Sequence, residues 1–195
     1  MKSVLISIQP KWCELIAAGK KTVEVRKTKP KLEPPFKCYI YCTKSSRKTL
    51  SYSDYCGYDM EDFRKDFIAN GQIIGEFVCD RKYQYASDLF RSAPVEGADI
   101  STEDMAKFSC LTAKELYEYE HSTEPKENCI CLVGLYGWHI SNLKIYDEPK
   151  PLDEFFYACD KQEGTDCSVC IDHRETKCKA VTRPPQSWCY VEEVP

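Results

Sequence analysis

The sequence is short of several things, and each shortage removes a class of answer. No run approaches the roughly 18–20 consecutive apolar residues that a helix needs to span a bilayer, so a helical membrane-spanning protein is excluded. The opening residues, Met1 to Ile8, pass straight into a strand-like segment, without the basic start, apolar stretch and cleavage site of an export signal. A cytoplasmic location is therefore expected, and with it reduced thiols, because disulfides persist in oxidising compartments. The odd total of 13 cysteines agrees. No internal repeat or low-complexity tract is present, which argues against solenoids and linker-rich chains. Acids are scarce in one place: positions 1–50 hold 12 Lys or Arg against three Asp or Glu, a formal +9 in a chain whose net charge is -4.

What is present reads as alternating short strands and helices. A chain of 195 residues can bury a substantial core, and the expectation is one domain over 1–195 with a cysteine-rich insertion at about 155–182. Val4 to Ile8, Phe36 to Cys42 and Ile73 to Cys79 have the β-branched and aromatic content of strands, with Pro30 to Pro35 as a loop. Leu143 to Tyr146 and Cys129 to Tyr136 complete the strand signals, with Gly137 as a break between them. Asp59 to Ala69 reads as a helix. So do a short segment opened by Ser101 or Thr102 and a clearer one whose capping box is Thr112 and Glu115. The basic, hydroxyl-rich stretch after Cys42 reads as an exposed loop leaving a central strand.

The stretch Gly19-Lys20-Lys21-Thr22-Val23-Glu24-Val25-Arg26 concentrates the chemistry. Before it, Pro10 to Ala18 predicts a helix. Proline suits the first helical position, Trp12, Cys13, Leu15 and Ile16 form an apolar stripe, and Gly19 takes the left-handed turn that ends it. From Lys20 the period becomes two, so Val23 and Val25 face one way while Thr22, Glu24 and Arg26 face the other. Glu24 and Arg26 then stand roughly 6–7 Å apart at Cα. They form either a solvated pair on an edge strand, worth roughly 0–1 kcal/mol, or two groups converging on one ligand. Glu24 is one of only three acids in this basic third, which favours orienting an arginine or accepting from a ligand.

Gly19, Lys21, Glu24 and Arg26 match the Gly-x-Lys-x-x-Glu-x-Arg signature of the ASCH domain family, and the chain resembles that family elsewhere. The similar stretches are Ser7 to Trp12, Tyr39 to Lys44, His139 to Lys144 and Pro184 to Glu193; these flanks resemble small ASCH proteins found in bacterial prophage contexts. The resemblance implies a mixed α/β (α+β) fold, a PUA-like β-barrel, closed or partly closed, with flanking helices. It also implies a cleft beside the glycine turn for RNA, a nucleotide or a base-like group. Lys21, Glu24 and Arg26 would line this cleft, with Thr43, Lys44, Ser187 and Trp188 nearby. Lys44 reads equally well as a solvated lysine. Of the three tryptophans, Trp12 and Trp138 read first as core, whereas Trp188 lies where a barrel closes.

Some ASCH proteins resemble amidohydrolases that deacetylate N4-acetylcytidine with a lysine, a nucleophilic threonine and an acid. Lys21 matches the lysine, but Glu24 occupies the threonine's position. Thr22 lies roughly 6–7 Å from it along the strand, so Lys21, Thr22 and Glu24 are catalytic candidates only in this alternative. A third reading is a protein-interaction adaptor using the acidic helices of 101–120. No organic cofactor is expected. The last expectation is a structural zinc on Cys159, Cys167, Cys170 and Cys178, spaced C-x7-C-x2-C-x7-C, with His173 as a substitute ligand. The central pair has knuckle spacing. A polar insertion with reduced thiols and a redox C-x-x-C are the competing readings.

Overall fold

A computed structural model describes residues 1–44, 71–86, 98–122, 134–158 and 179–194. The expected helix at 59–69 and most of the cysteine-rich segment lie outside them. Eight strands, three α-helices and a short 3-10 turn are formed among the described residues. Chain contacts divide the protein into two compact units, one of Met1–Ala17, Phe36–Phe77 and Asn142–Pro195, the other of Ala18–Pro35 and Val78–Ser141.

The first unit is built on strand β1 (Lys2–Ile8), which is mostly apolar and buried from Ser3 onward. A strand covered on both faces reads this way because it has no solvent side to alternate with. It pairs in parallel with β3 (Phe36–Cys42) and antiparallel with β8 (Trp188–Glu192). With β4 (Ile73–Cys79) and β7 (Ser141–Lys150) these make a five-stranded sheet of order β7-β4-β3-β1-β8. Helix α1 (Pro10–Ala17) buries Cys13, Leu15 and Ile16. It ends at Gly19, whose φ of +70° is the left-handed turn expected there. Leu5, Tyr39, Tyr41, Ile73, Phe155, Val181 and Val191 form one core cluster. In it the Tyr39 and Phe155 rings meet edge to face at 4.9 Å.

The second unit holds an antiparallel three-stranded sheet ordered β2 (Val23–Arg26), β6 (Leu135–His139), β5 (Lys82–Tyr85). Helix α2 (Thr102–Ser109) starts at the N-cap Ser101, and α3 (Ala113–His121) at the capping box of Thr112 and Glu115. Met105 of α2 and Leu116 of α3 join Val23, Val25, Tyr85, Ile100 and Leu135 in its core.

Two expectations are corrected here. The β-barrel is not seen: among the described residues the strands form two separate sheets, of five and three strands. The chain leaves β4 for β5 across Asp80 and Arg81, and leaves β6 for β7 across Ile140, and at each step it changes sheet instead of extending a ladder. Nor does Gly137 break a strand. It lies within β6, opposite Val25 on one side and Tyr83 on the other. A Cβ at this position would stand 2.8 Å from Val23 Cγ1 and 2.9 Å from Met105 Cε. The glycine is there for close packing of strand and helix, and the break falls at Ile140.

Candidate functional site: a buried charge relay on strand β2

Two backbone hydrogen bonds fix the start of β2: Thr22 N–H donates to the Phe108 carbonyl at 2.9 Å, and Ile140 N–H donates to the Thr22 carbonyl at 2.8 Å. With the strand held, the signature charges meet. Lys21 Nζ donates to the Ser109 carbonyl at 2.8 Å and lies 3.3 Å from Glu24 Oε2. The other carboxylate oxygen, Oε1, is 3.0 Å from an Arg26 guanidinium nitrogen. Side-chain exposure rises along this chain, from 2% at Lys21 to 7% at Glu24 and 12% at Arg26.

Of the two readings of the octad, β2 is an edge strand in its sheet, but the pair on it is not solvated. Burial pushes the Lys21 ammonium below its ordinary range, opposed by the Glu24 carboxylate beside it. Ser109 is the last residue of α2, so its carbonyl lies at the negative end of the helix dipole, which favours a cation there.

Cross-strand register shows what surrounds these charges. Glu24 is opposite Trp138 and Arg26 opposite Tyr136, while Lys82 lies on the far side of Trp138 and Gln84 on that of Tyr136. Directly opposed residues share a face, so an aromatic row runs between two rows of polar and charged groups. Trp138 is fully buried. Lys29 Nζ stands 4.9 Å from the Tyr136 ring centre, and Lys27 Nζ 5.4 Å from that of Tyr119. Lys82 is tied to the Leu32 carbonyl at 2.7 Å. The sequence reading missed Ser109, Tyr119 and Tyr136. Ser109 and Tyr119 are far from the signature in sequence, whereas Tyr136 could have been found by pairing the Glu24/Arg26 face with the next strand.

The other expected residues belong to the first unit. Thr43 N–H donates to the Ile8 carbonyl, and Ser7 N–H to the Ser187 carbonyl. Trp188 pairs with Ile6 and meets Tyr190 edge to face at 5.3 Å. Thr43, Ser187 and Trp188 thus gather about the end of β1, with the exposed Lys44 following Thr43. The candidate site is built from residues of the second unit alone.

The expectation of structural zinc is withdrawn. Among the described residues no group of three or more His, Cys, Asp or Glu side chains can hold a metal ion. Cys159, Cys167, Cys170 and Cys178 lie outside the described residues. The six described cysteines are thiols, four of them buried, where a thiol packs as a small apolar group. No described helix is long and apolar enough to cross a membrane.

The ASCH domain model matches residues 6–133, which include the whole signature. The chain belongs to the ASCH domain family, within the PUA-like superfamily. The crystal structure of ASCH from Zymomonas mobilis is similar in fold, with a TM-score of 0.50 at 15% identity over 98% of this chain and 88% of that one. A Tyr-to-Phe mutant of the Zymomonas mobilis protein gives the same TM-score at 14% identity over 99% of this chain and 92% of that chain. A Ser-to-Ala mutant gives 0.50 at 14% over 98% and 89%. At such identities the likeness speaks for the ASCH fold alone. No curated protein matches the chain in sequence.

Proposed function

We propose that this ASCH protein binds single-stranded RNA, or a nucleotide within it, on the β2–β6 face, with Arg26 as the phosphate contact. The observation that carries this reading is the relay of Ser109 carbonyl, Lys21, Glu24 and Arg26, in which each member is held by the one before it. Lys21 and Glu24 are too buried to be the first groups a ligand meets. Their role is to orient the Arg26 guanidinium, whose planar fork suits a phosphate. Tyr136, opposite Arg26, offers a ring on which a base can stack, and Lys29 beside that ring adds a second cation. Family membership supports a nucleic-acid ligand, and the +9 balance of positions 1–50 supplies the attraction that an acidic protein otherwise lacks.

The test is fluorescence anisotropy with 12-nucleotide single-stranded RNAs and a nucleoside panel. Arg26→Gln is expected to weaken RNA binding across sequences and to reduce the salt slope by about 0.7, the value for one phosphate contact on a single strand. Tyr136→Ala is expected to weaken it without changing that slope. Equal and negligible signals from wild type and variants would remove the proposal.

One observation favours a second reading, hydrolysis of an N4-acylated cytidine: burial drives Lys21 toward the amine form that could activate Thr22 or a water. Against it, the Ser109 carbonyl and the Glu24 carboxylate both call on Lys21 N–H donors. Incubation with N4-acetylcytidine, followed by product separation, decides between the two readings; turnover abolished by Lys21→Ala would replace binding with catalysis.

A further inference from the structure

A second cluster of chemistry lies in the same unit, outside the signature. His139 ends β6, and its Nδ1 is 2.6 Å from Asp80 Oδ1 in the link between β4 and β5. Both side chains are partly open, His139 at 35% and Asp80 at 45%. The hydrogen bond from His139 holds the Asp80 carboxyl below its ordinary range. An ionised carboxylate only accepts, so the proton sits on Nδ1. In the neutral imidazole that leaves Nε2 as a lone-pair acceptor, and it makes no hydrogen bond among the described residues.

Its surroundings are those of a shelf. The Tyr83 and His139 rings stand nearly perpendicular with centres 6.4 Å apart, and the Arg81 guanidinium lies over the Tyr83 ring, 4.6 Å from its centre. Ser141 Oγ donates to the Val78 carbonyl at 2.8 Å and also lies within hydrogen-bonding reach of the Asp80 carboxylate. Burial pushes the neighbouring Cys79 thiol up to about 12, so it adds no charge near neutrality. His139 is opposite Val23, one residue from the Glu24 and Trp138 pair, so it faces the other side of the sheet. A single nucleotide on Arg26 cannot also reach it.

We propose that Asp80, His139, Arg81 and Tyr83 form a second RNA subsite in which His139 Nε2 accepts a hydrogen bond from a ribose 2′-hydroxyl and Arg81 takes an adjoining phosphate. An oriented acceptor needs a donor, and the 2′-hydroxyl is the donor that RNA has and DNA lacks. The subsite rests on the RNA-binding reading and adds to it a discrimination between sugars. A carboxylate that fixes the tautomer of a histidine is a positioning group, and Asp80 has that role here.

The experiment measures anisotropy at pH 8 with one 12-nucleotide sequence made as RNA, as 2′-O-methyl RNA and as DNA. Wild type is expected to prefer RNA over the 2′-O-methyl form by about two- to tenfold, the effect of one hydrogen bond. His139→Phe, which keeps a ring and loses the acceptor, is expected to bind all three alike at the strength of the weaker forms. Asp80→Asn, which loses the charge holding the proton on Nδ1, is expected to reduce the preference while leaving the fold intact. If wild type binds RNA but shows no preference, or if both variants keep it in full, the subsite is wrong and the β2 site stands. If wild type binds none of the three, both fall.

Discussion

Replacing Glu24 by Gln puts the relay to its severest test. The substitution keeps shape and volume and removes one negative charge, leaving Lys21 and Arg26 facing each other across an amide. Removing one member of a buried ion pair costs about 3–5 kcal/mol, because the remaining charge is left uncompensated. Two features place this case at the low end. Arg26 keeps 12% of its side chain in contact with solvent, and Lys21 keeps its hydrogen bond to the Ser109 carbonyl. A loss of about 3 kcal/mol follows. For a chain of this length that is a fall of roughly 6–12 °C in melting temperature. Had the pair been the solvated one of an exposed edge strand, the loss would stay at or below about 1 kcal/mol.

The pH dependence separates this account from a simple packing defect. Burial lowers the Lys21 pKa in the folded protein, and Glu24 is the strongest influence opposing it. In the unfolded chain a lysine keeps its proton up to about pH 10.4. Between the lowered folded value and that limit the unfolded state binds more protons, so the Lys21 contribution to stability rises with pH. Without Glu24 the folded value drops further and the window opens at lower pH. The deficit of Glu24→Gln against wild type is therefore expected to shrink as pH is raised from 7 to 10. Urea unfolding at four pH values measures it. A deficit under about 1 kcal/mol, or one that stays constant with pH, would refute the buried relay.

Two further outcomes test the frame around the site. Gly137→Ala forces a methyl group to within 3 Å of Val23 and Met105, and is expected to cost about 1–3 kcal/mol in urea unfolding; a neutral result would mean that β6 and α2 are not packed as described. Thr112→Ala removes the side-chain acceptor for the Glu115 N–H, 3.1 Å away, and is expected to cost about 1 kcal/mol. Circular dichroism and melting should register that loss without any change in RNA affinity.

Local rules carried the elements a long way. The strand after the helix, the glycine turn at Gly19 and the capping box at Thr112 each depend on residues within one turn or one strand, and each stands in the structure, the strand beginning at Val23 and not at Lys20. The burial of the Lys21–Glu24 pair was not legible, because Lys21 meets Ser109, 88 positions further along, and Glu24 pairs opposite Trp138, both brought in by tertiary packing. Period two predicts which face a side chain takes and is silent on whether that face is wet. The barrel failed for a related reason. Strand signals say that a segment will pair and leave its partner open, and the changes of sheet at Asp80–Arg81 and Ile140 leave no local mark that distinguishes them from ordinary turns.

The burial of Lys21 bears on how binding and catalysis divide in this fold. A lysine almost wholly out of water is driven toward the neutral amine, the form that attacks or deprotonates, yet here it is met by a helix-terminal carbonyl and a carboxylate that both favour the cation. By the resemblance drawn from the signature, this carboxylate stands where some amidohydrolase-like ASCH proteins carry a nucleophilic threonine. A threonine there would leave the lysine without a counter-charge, and hence closer to the amine, beside a hydroxyl able to react. Glutamate compensates the lysine charge and passes the geometry on to Arg26. In the proposed RNA-binding reading, Glu24 thus serves to hold Lys21 as the cation and to orient Arg26.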